Sequence, residues 1–443
     1  MTTFLQRYAN IRPKEMAPLL ASVFFFFCVL TALMVLRPAR EALGMRGGLD
    51  AIRWLFIGTA VITLLVNPAF GLLVSRFRRL QFIAATYIFF GSSLLVFWAV
   101  LTFAPAAIGE RTGQVFYVWF SVFNLFSTMV FWALMVDRFS LEQSKRLFGI
   151  IAVGGTLGAI TGPFLASMLA RPLGTANLLL VSVGFLFLSI LAAWAVAHLR
   201  PERSGDPGHP EAPPAVDERE VIGGSAWEGF RAVFASRYLL GISAFVLILA
   251  VMATFLYFTR LQMVAALGGD LDMRTTVFAR IEMLTQGTTL LLQLLVAGHL
   301  MRRLGVAVTL ALLPITVLLG FLGLAIVGTL AALVVFEASF RAVQRALMRP
   351  ARETLYTVVT REEKYKAKAF IDTFVYRGGD VVGAWTEGLL GRLGMGLAAL
   401  ASLAIPLAVV WGALGLWLAR TQSRIAREGR QLPPRPGKQV PAD

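Results

Sequence analysis

The chain has 443 residues, 57% of them hydrophobic and only 15% charged. Soluble domains carry about a quarter charged residues, so this composition excludes a water-soluble globule and requires lipid as solvent. The formal charge of +16 comes from basic residues set between apolar runs, which points to anionic lipid and excludes nucleic acid as the partner.

A helix needs about 20 mostly apolar residues to cross a bilayer. On that measure the first half reads as six spans: Pro18–Leu36, Trp54–Val74, Leu80–Phe103, Val115–Val136, Phe148–Ala170 and Asn177–His198. The first run is too long for a signal peptide and no small-residue cleavage site follows it, so it reads as an uncleaved span. From Leu199 to about Ala226 the sequence turns rich in Pro, Gly, Asp and Glu, as a flexible linker does. Trp227–Ser236 then reads as a short amphipathic surface helix. Six further spans follow: Tyr238–Phe258, Val277–Leu300, Val306–Val327, Thr329–Met348, Ala369–Leu390 and Met395–Leu418. Charged residues interrupt the eighth, tenth and eleventh. The basic, Pro-rich tail after Arg420 is expected to lie loosely on headgroups.

The expected fold is therefore all-α and polytopic, with about twelve transmembrane helices in two pseudo-symmetric six-helix halves. The halves are 1–198 and 237–419, joined by a linker at 199–236 and followed by a tail at 420–443. Lys and Arg gather in alternate short loops, which places both termini in the cytoplasm of a cell whose inner membrane holds the protein.

The halves echo each other. Val122-Phe123 followed by Ala133-Leu134-Met135 has a counterpart in Val335-Phe336 followed by Ala346-Leu347-Met348. Gly71 and Arg76 close the second span as Gly298 and Arg303 close the eighth, with the same spacing, in what read as short cytoplasmic gate turns. Gly149, Gly158, Gly162 and Pro163 put small residues and a kink on the fifth span, a pattern that lets helices cross closely.

Charge inside a bilayer opposes insertion by about 2.5–3.5 kcal/mol per central residue, so such residues are functional candidates with partners. The tenth span carries Glu337, Arg341 and Arg345 as one i, i+4, i+8 stripe, and the eleventh carries Asp372, Tyr376 and Asp380 at the same spacing beside Arg377. Glu282 lies in the eighth span and Arg40 at the end of the first. Arg40, Arg341, Arg345 and Arg377 are candidate contacts to an anionic solute, because guanidinium matches phosphate and carboxylate in two-point geometry. Glu282, Glu337, Asp372 and Asp380 are candidates for coupling or gating. The competing reading is a set of structural ion pairs. Arg37, Arg260 and Glu387, near span ends, are expected to snorkel to the interface, and the aromatic runs at Phe24–Phe27 and Phe116–Phe120 to pack or face lipid.

The two Gly-Arg turns resemble the cytoplasmic Gly-x-x-x-Asp-Arg-x-Gly motif of the major facilitator superfamily, with Ser75 and Arg302 where Asp is usual. The fifth-span glycines resemble the G-x8-G-x3-G-P spacing of its antiporter branches. Leu36-Arg37-Pro38-Ala39-Arg40-Glu41-Ala42-Leu43 is similar to the Leu-Arg-x-x-Lys-Asp-x-Leu of the ATP/ADP translocase branch. The stretch from Phe131-Trp132 to Asp137, then Glu142 to Gly149, resembles that branch's loop after the fourth span. This resemblance implies a transporter, with Arg40 at the position of a lysine used in nucleotide transport. A glutamate that the branch uses near the fourth span has no counterpart.

The expected function is thus secondary active transport of an organic anion, a nucleotide or phosphorylated solute among the candidates, with a coupling proton or counter-substrate. The alternatives are a proton-coupled exporter of lipophilic compounds and a non-transporting scaffold or receptor. No catalytic set, Walker loop or metal-ligand spacing is present in the sequence, so neither an enzyme nor a cofactor is expected.

Overall fold

The computed structural model describes residues 12, 15–76, 79–104, 106–199, 226–292, 298–394 and 397–431. Residues 200–225 of the expected linker and the tail beyond 431 lie outside the described residues. So do the side chains of Gly71, Arg76, Gly298 and Arg303, whose backbone is helical. The described residues form helices only, and fall into two compact units.

Unit one holds α1 (Met16–Gly44), α2 (Gly48–Arg76), α3 (Arg79–Phe103), α4 (Ala106–Arg138), α5 (Leu141–Leu173) and α6 (Leu178–His198). Leu and Ala supply helix propensity, and within one apolar run in lipid the helix satisfies every backbone hydrogen bond internally. Ser140 and Gln143 form a capping box that starts α5. Gly174, at φ 84°, turns the chain from α5 to α6.

At the centre stands α1, with Phe25, Val29, Ala32, Leu33 and Leu36 fully buried. The Phe26 ring stacks on Phe131 of α4 at 4.1 Å, and the Ser182 hydroxyl of α6 donates to the Ala32 carbonyl at 2.8 Å. Along α5, an added Cβ at Gly158 would stand 2.4 Å from the Phe27 carbonyl oxygen, and one at Gly162 would stand 2.7 Å from the Val35 nitrogen. Gly154 and Gly155 lie equally close to Val23 and Phe26. Gly149, expected on the same face, is exposed and has no neighbour near its Cβ position. The contact face of α5 therefore begins at Gly154, because Gly149 points the other way around the helix.

Unit two holds α7 (Ala226–Ala235), α8 (Arg237–Ala266) as far as Phe258, α9 (Leu271–Leu292) from Thr288, and α10 (Gly298–Val327), which breaks at Gly305, φ 71°. It continues with α11 (Leu330–Val343), α12 (Arg349–Leu355), α13 (Arg361–Phe370), α14 (Tyr376–Arg392) and α15 (Leu397–Gln431). A π turn at Gln344–Met348 joins α11 to α12, and another at Ile371–Val375 joins α13 to α14, so each pair forms one long rod. The stretch Thr259–Gly287, the corner between α8 and α9, packs into unit one although it lies in the second half of the sequence.

Among the described residues eight stretches are long and apolar enough to span a membrane, the first of which, Met16–Thr63, runs through α1 and into α2. Outside this set are the ten-residue α7, α9 and the rods α11–α12 and α13–α14, the last three being the charge-bearing eighth, tenth and eleventh spans; leaving the short α7 aside, twelve rods stand among the described residues. The basic residues after Arg420 do not form a loose tail at once: α15 stays helical to Gln431.

Candidate functional site

The last turns of α1 place Arg37, Arg40 and Glu41 against the α8–α9 corner, all within unit one. An Arg37 Nη1 donates to the Glu282 carboxylate at 3.1 Å, and the Gln286 amide donates to the same oxygen at 2.9 Å. Arg40 pairs with Glu41 at 2.9 Å and donates from Nε to the Tyr117 carbonyl at 3.2 Å. Between the two carboxylates sits Arg260, 3.9 Å from Glu41 and 4.0 Å from Glu282. The charges alternate along a chain of five: Arg40, Glu41, Arg260, Glu282, Arg37.

This chain is desolvated. Glu41, Arg260 and Glu282 are each no more than 4% exposed in their side chains, whereas Arg40 keeps 15% and Arg37 28%. The Arg40 guanidinium lies 3.5 Å from the centre of the Tyr117 ring, with Phe120 at 5.7 Å, and Arg260 lies 5.7 Å from the Phe278 ring. Aromatic faces stabilise a partly buried cation without neutralising it. Within this chain three guanidinium groups alternate with two carboxylates, and its more accessible ends are both arginines. Such an arrangement attracts an anion, which can replace a carboxylate at a guanidinium in two-point geometry.

Sequence reasoning placed Arg40 and Glu282 in functional roles but left out Arg37, Glu41, Arg260 and Gln286. It expected Arg37 and Arg260 to reach toward headgroups. Instead Arg37 and Arg260 turn inward to Glu282, and Glu387 is also buried, at 2% exposure. The signal was present in Glu41: an acidic residue next to Arg40, at the end of an apolar run, calls for a second cation nearby. Tyr117 and Phe120, from a run expected only to pack, carry Arg40.

The remaining candidates belong to unit two. Arg341 is bonded to Glu337 one turn back on α11, and both are buried. Arg345 falls inside the π turn, so it no longer follows Arg341 on one line, because a π turn rotates the helix face. The second expected stripe is broken in the same way. Asp372 lies in the π turn before α14 and pairs with Arg352 of α12 at 3.1 Å. Asp380 is held by Arg377 at 3.1 Å and by the Thr254 hydroxyl of α8 at 3.3 Å. Its helix approaches α8 closely: an added Cβ at Gly379 or Gly383 would meet α8 at 2.6 or 2.9 Å. Among the described residues no group of acidic, His or Cys side chains could hold a metal ion.

A profile of the Major Facilitator Superfamily matches residues 19–344. No curated protein sequence matches. Among solved structures, a bacterial homologue of the human lysosomal transporter Spinster, inward-facing and unoccupied, aligns over 96% of this chain and all of its own, at 15% identity and a TM-score of 0.58. The nucleoside transporter NupG, as a single-site mutant, covers 92% of this chain and 98% of its own, at 12% identity and TM-score 0.59. The POT family transporter PepTSo covers 94% and 99%, at 13% identity and TM-score 0.58. At these identities the likeness is one of fold, while the profile spans most of the sequence, and so the chain belongs to the major facilitator superfamily, as a multi-pass secondary transporter and not an enzyme.

Proposed function

We propose that this transporter carries an organic anion, and that Arg40, with Arg37 and Arg260, attracts it. The supporting observation is the five-member charge chain of unit one, with arginines at both of its more accessible ends and an aromatic ring against Arg40. A carboxylate or phosphate that reaches Arg37 or Arg40 competes with Glu282 or Glu41. Those carboxylates tether the α8–α9 corner to α1, so solute binding loosens the tether, and solute release restores it. Binding is thereby linked to the rearrangement that alternating access requires.

The pairs Glu337–Arg341 and Arg377–Asp380 are assigned to coupling, because each arginine is already held by a carboxylate on its own helix. A proton taken up by Asp380 would release Arg377 and Thr254, which makes the proton or a counter-substrate the partner of transport. A nucleotide or phosphorylated solute is the first class to examine, on the likeness of Leu36–Leu43 to the translocase branch. The cationic cargo of many lipophilic-compound exporters fits the arginine-rich end of α1 poorly. The orientation that accompanies this reading has both termini cytoplasmic, in the inner membrane. Gly71, Arg76, Gly298 and Arg303 are assigned to short turns on that side.

A thermal-shift screen of the purified protein against nucleotides, inorganic and organic phosphates, carboxylates and organic cations tests the reading. Stabilisation by one anion class, lost in Arg40→Gln, is expected. Stabilisation by cations alone would overturn it.

A further inference from the structure

Unit two contains a cavity of about 600 Å³ between the start of α10 and the end of α15. Gly305 and Val306 line one side, and Arg420, Arg424 and Arg427 line the other. These arginines are spaced i, i+4, i+7, so they share one face of α15 and converge on the same space. Glu428 is the acidic group in the lining. Among the described residues it pairs with Arg424, at 3.9 Å, and both are largely exposed, so the pair is loose and screened by water. Two positive charges remain in excess.

The position of the cavity along the helices specifies its occupant. The apolar stretch of α10 begins at Gly305, and the apolar part of α15 ends at Ala419, one residue before the first of the three arginines. Both helices thus change from hydrocarbon-soluble to basic at the level of the cavity, which is where a bilayer places its phosphates. Val308 and Leu416, one turn deeper, are 44% and 36% exposed and offer apolar surface to acyl chains. The wall is fixed: Gln422 donates to the Thr354 carbonyl at the end of α12 at 2.6 Å, which holds α15 in place past the membrane boundary. The volume lies within the roughly 300–1,000 Å³ typical of small-ligand sites.

We propose that this cavity binds the phosphate headgroup of an anionic phospholipid, with Arg420, Arg424 and Arg427 as its ligands and the acyl chains running along α10 and α15. A free phosphate shares the headgroup chemistry but gains nothing from Val308 and Leu416. The site is separate from the charge chain of unit one and does not depend on the solute.

The test titrates the full chain, purified in a neutral detergent, with phosphatidylglycerol, with phosphatidylcholine of the same acyl chains, and with inorganic phosphate. The readouts are thermal stability and bound lipid counted by native mass spectrometry. Phosphatidylglycerol alone is expected to stabilise the protein and remain bound. Replacing all three arginines by Gln should weaken its binding about 100-fold, on the basis of roughly fivefold for each juxtamembrane arginine. Glu428→Gln, which removes the competing carboxylate and should fold normally, is expected to tighten binding a few-fold. Equal effects of the two lipids, an unchanged triple variant with unchanged Glu428→Gln, or an equal response to inorganic phosphate would each overturn the proposal.

Discussion

Arg37 and Glu282 lie 245 positions apart in the sequence and meet at 3.1 Å, joining the end of α1 to the corner between α8 and α9. Glu282 also faces Arg260, so one carboxylate serves two guanidinium groups. Removing it takes a shared carboxylate from two guanidinium groups, one of them, Arg260, almost fully buried. Glu282→Gln is therefore expected to lower stability by about 3–5 kcal/mol, the usual penalty for breaking a buried pair from one side. Thermal unfolding in detergent measures this. Adding Arg37→Gln to the same chain should recover part of the loss, since it removes one of the two guanidinium groups that Glu282 served; a strictly additive double variant would contradict the coupling.

The α1–α5 contact gives a second prediction. At Gly158 an added Cβ would meet the Phe27 carbonyl oxygen of α1, and at Gly162 the Val35 nitrogen and the Met34 Cβ, none of which can turn aside as the far end of a side chain can. Gly158→Ala and Gly162→Ala should each destabilise by about 1–3 kcal/mol through overpacking. Gly149→Ala, made where nothing lies nearby, should be neutral or slightly stabilising through helix propensity. Unfolding midpoints of the three variants distinguish them.

A third concerns pH. Glu15, just ahead of α1, is partly buried, which by itself would raise its pKa. Hydrogen bonds from the Gln143 side chain, the Arg12 backbone and Arg146, together with the Arg146 charge, outweigh burial and hold it below the ordinary value of 4.5. A carboxylate depressed on folding contributes stability that is complete above its unfolded pKa and is lost as pH falls through the folded value. The unfolding midpoint should therefore drop on acidification below the ordinary glutamate range. In Glu15→Gln that component of the pH dependence should vanish, with a lower midpoint at neutral pH.

A fourth prediction separates coupling from binding. Asp380 is buried and held by Arg377 and Thr254. In proteoliposomes, Asp380→Asn is expected to abolish solute accumulation driven by a proton gradient while sparing exchange of labelled for unlabelled solute. Loss of both activities in a well-folded variant would remove Asp380 from the coupling role.

Much of the fold was legible because the bilayer imposes a length and a polarity on every span. Apolar runs located the helices, and the three spans hardest to read, α9 and the rods α11–α12 and α13–α14, are those carrying Glu282, Arg341 and Asp380. Spacing alone misplaced Arg345 and Asp372, since both sit in π turns and a four-residue stripe assumes an unbroken α-helix. Arg37 and Arg260 were misjudged for a different reason. A span-end position is read along one dimension, whereas their contacts with Glu282 arise from which helices meet. Gly158 and Gly162 were readable as small residues; that Gly154 and Gly155 share their face while Gly149 does not depends on where α1 crosses.

The central claim, that Arg40 and its neighbours attract an anionic solute, is tested most directly by uptake of labelled anions into proteoliposomes containing the wild-type chain, Arg40→Lys and Arg40→Gln. Arg40→Lys keeps the charge but loses the two-point geometry, and is expected to raise the KM for the anion with a smaller change in maximal rate. Arg40→Gln should lose uptake at all but the highest solute concentrations. Anion uptake that is saturable in the wild type and unchanged in Arg40→Gln would contradict the account.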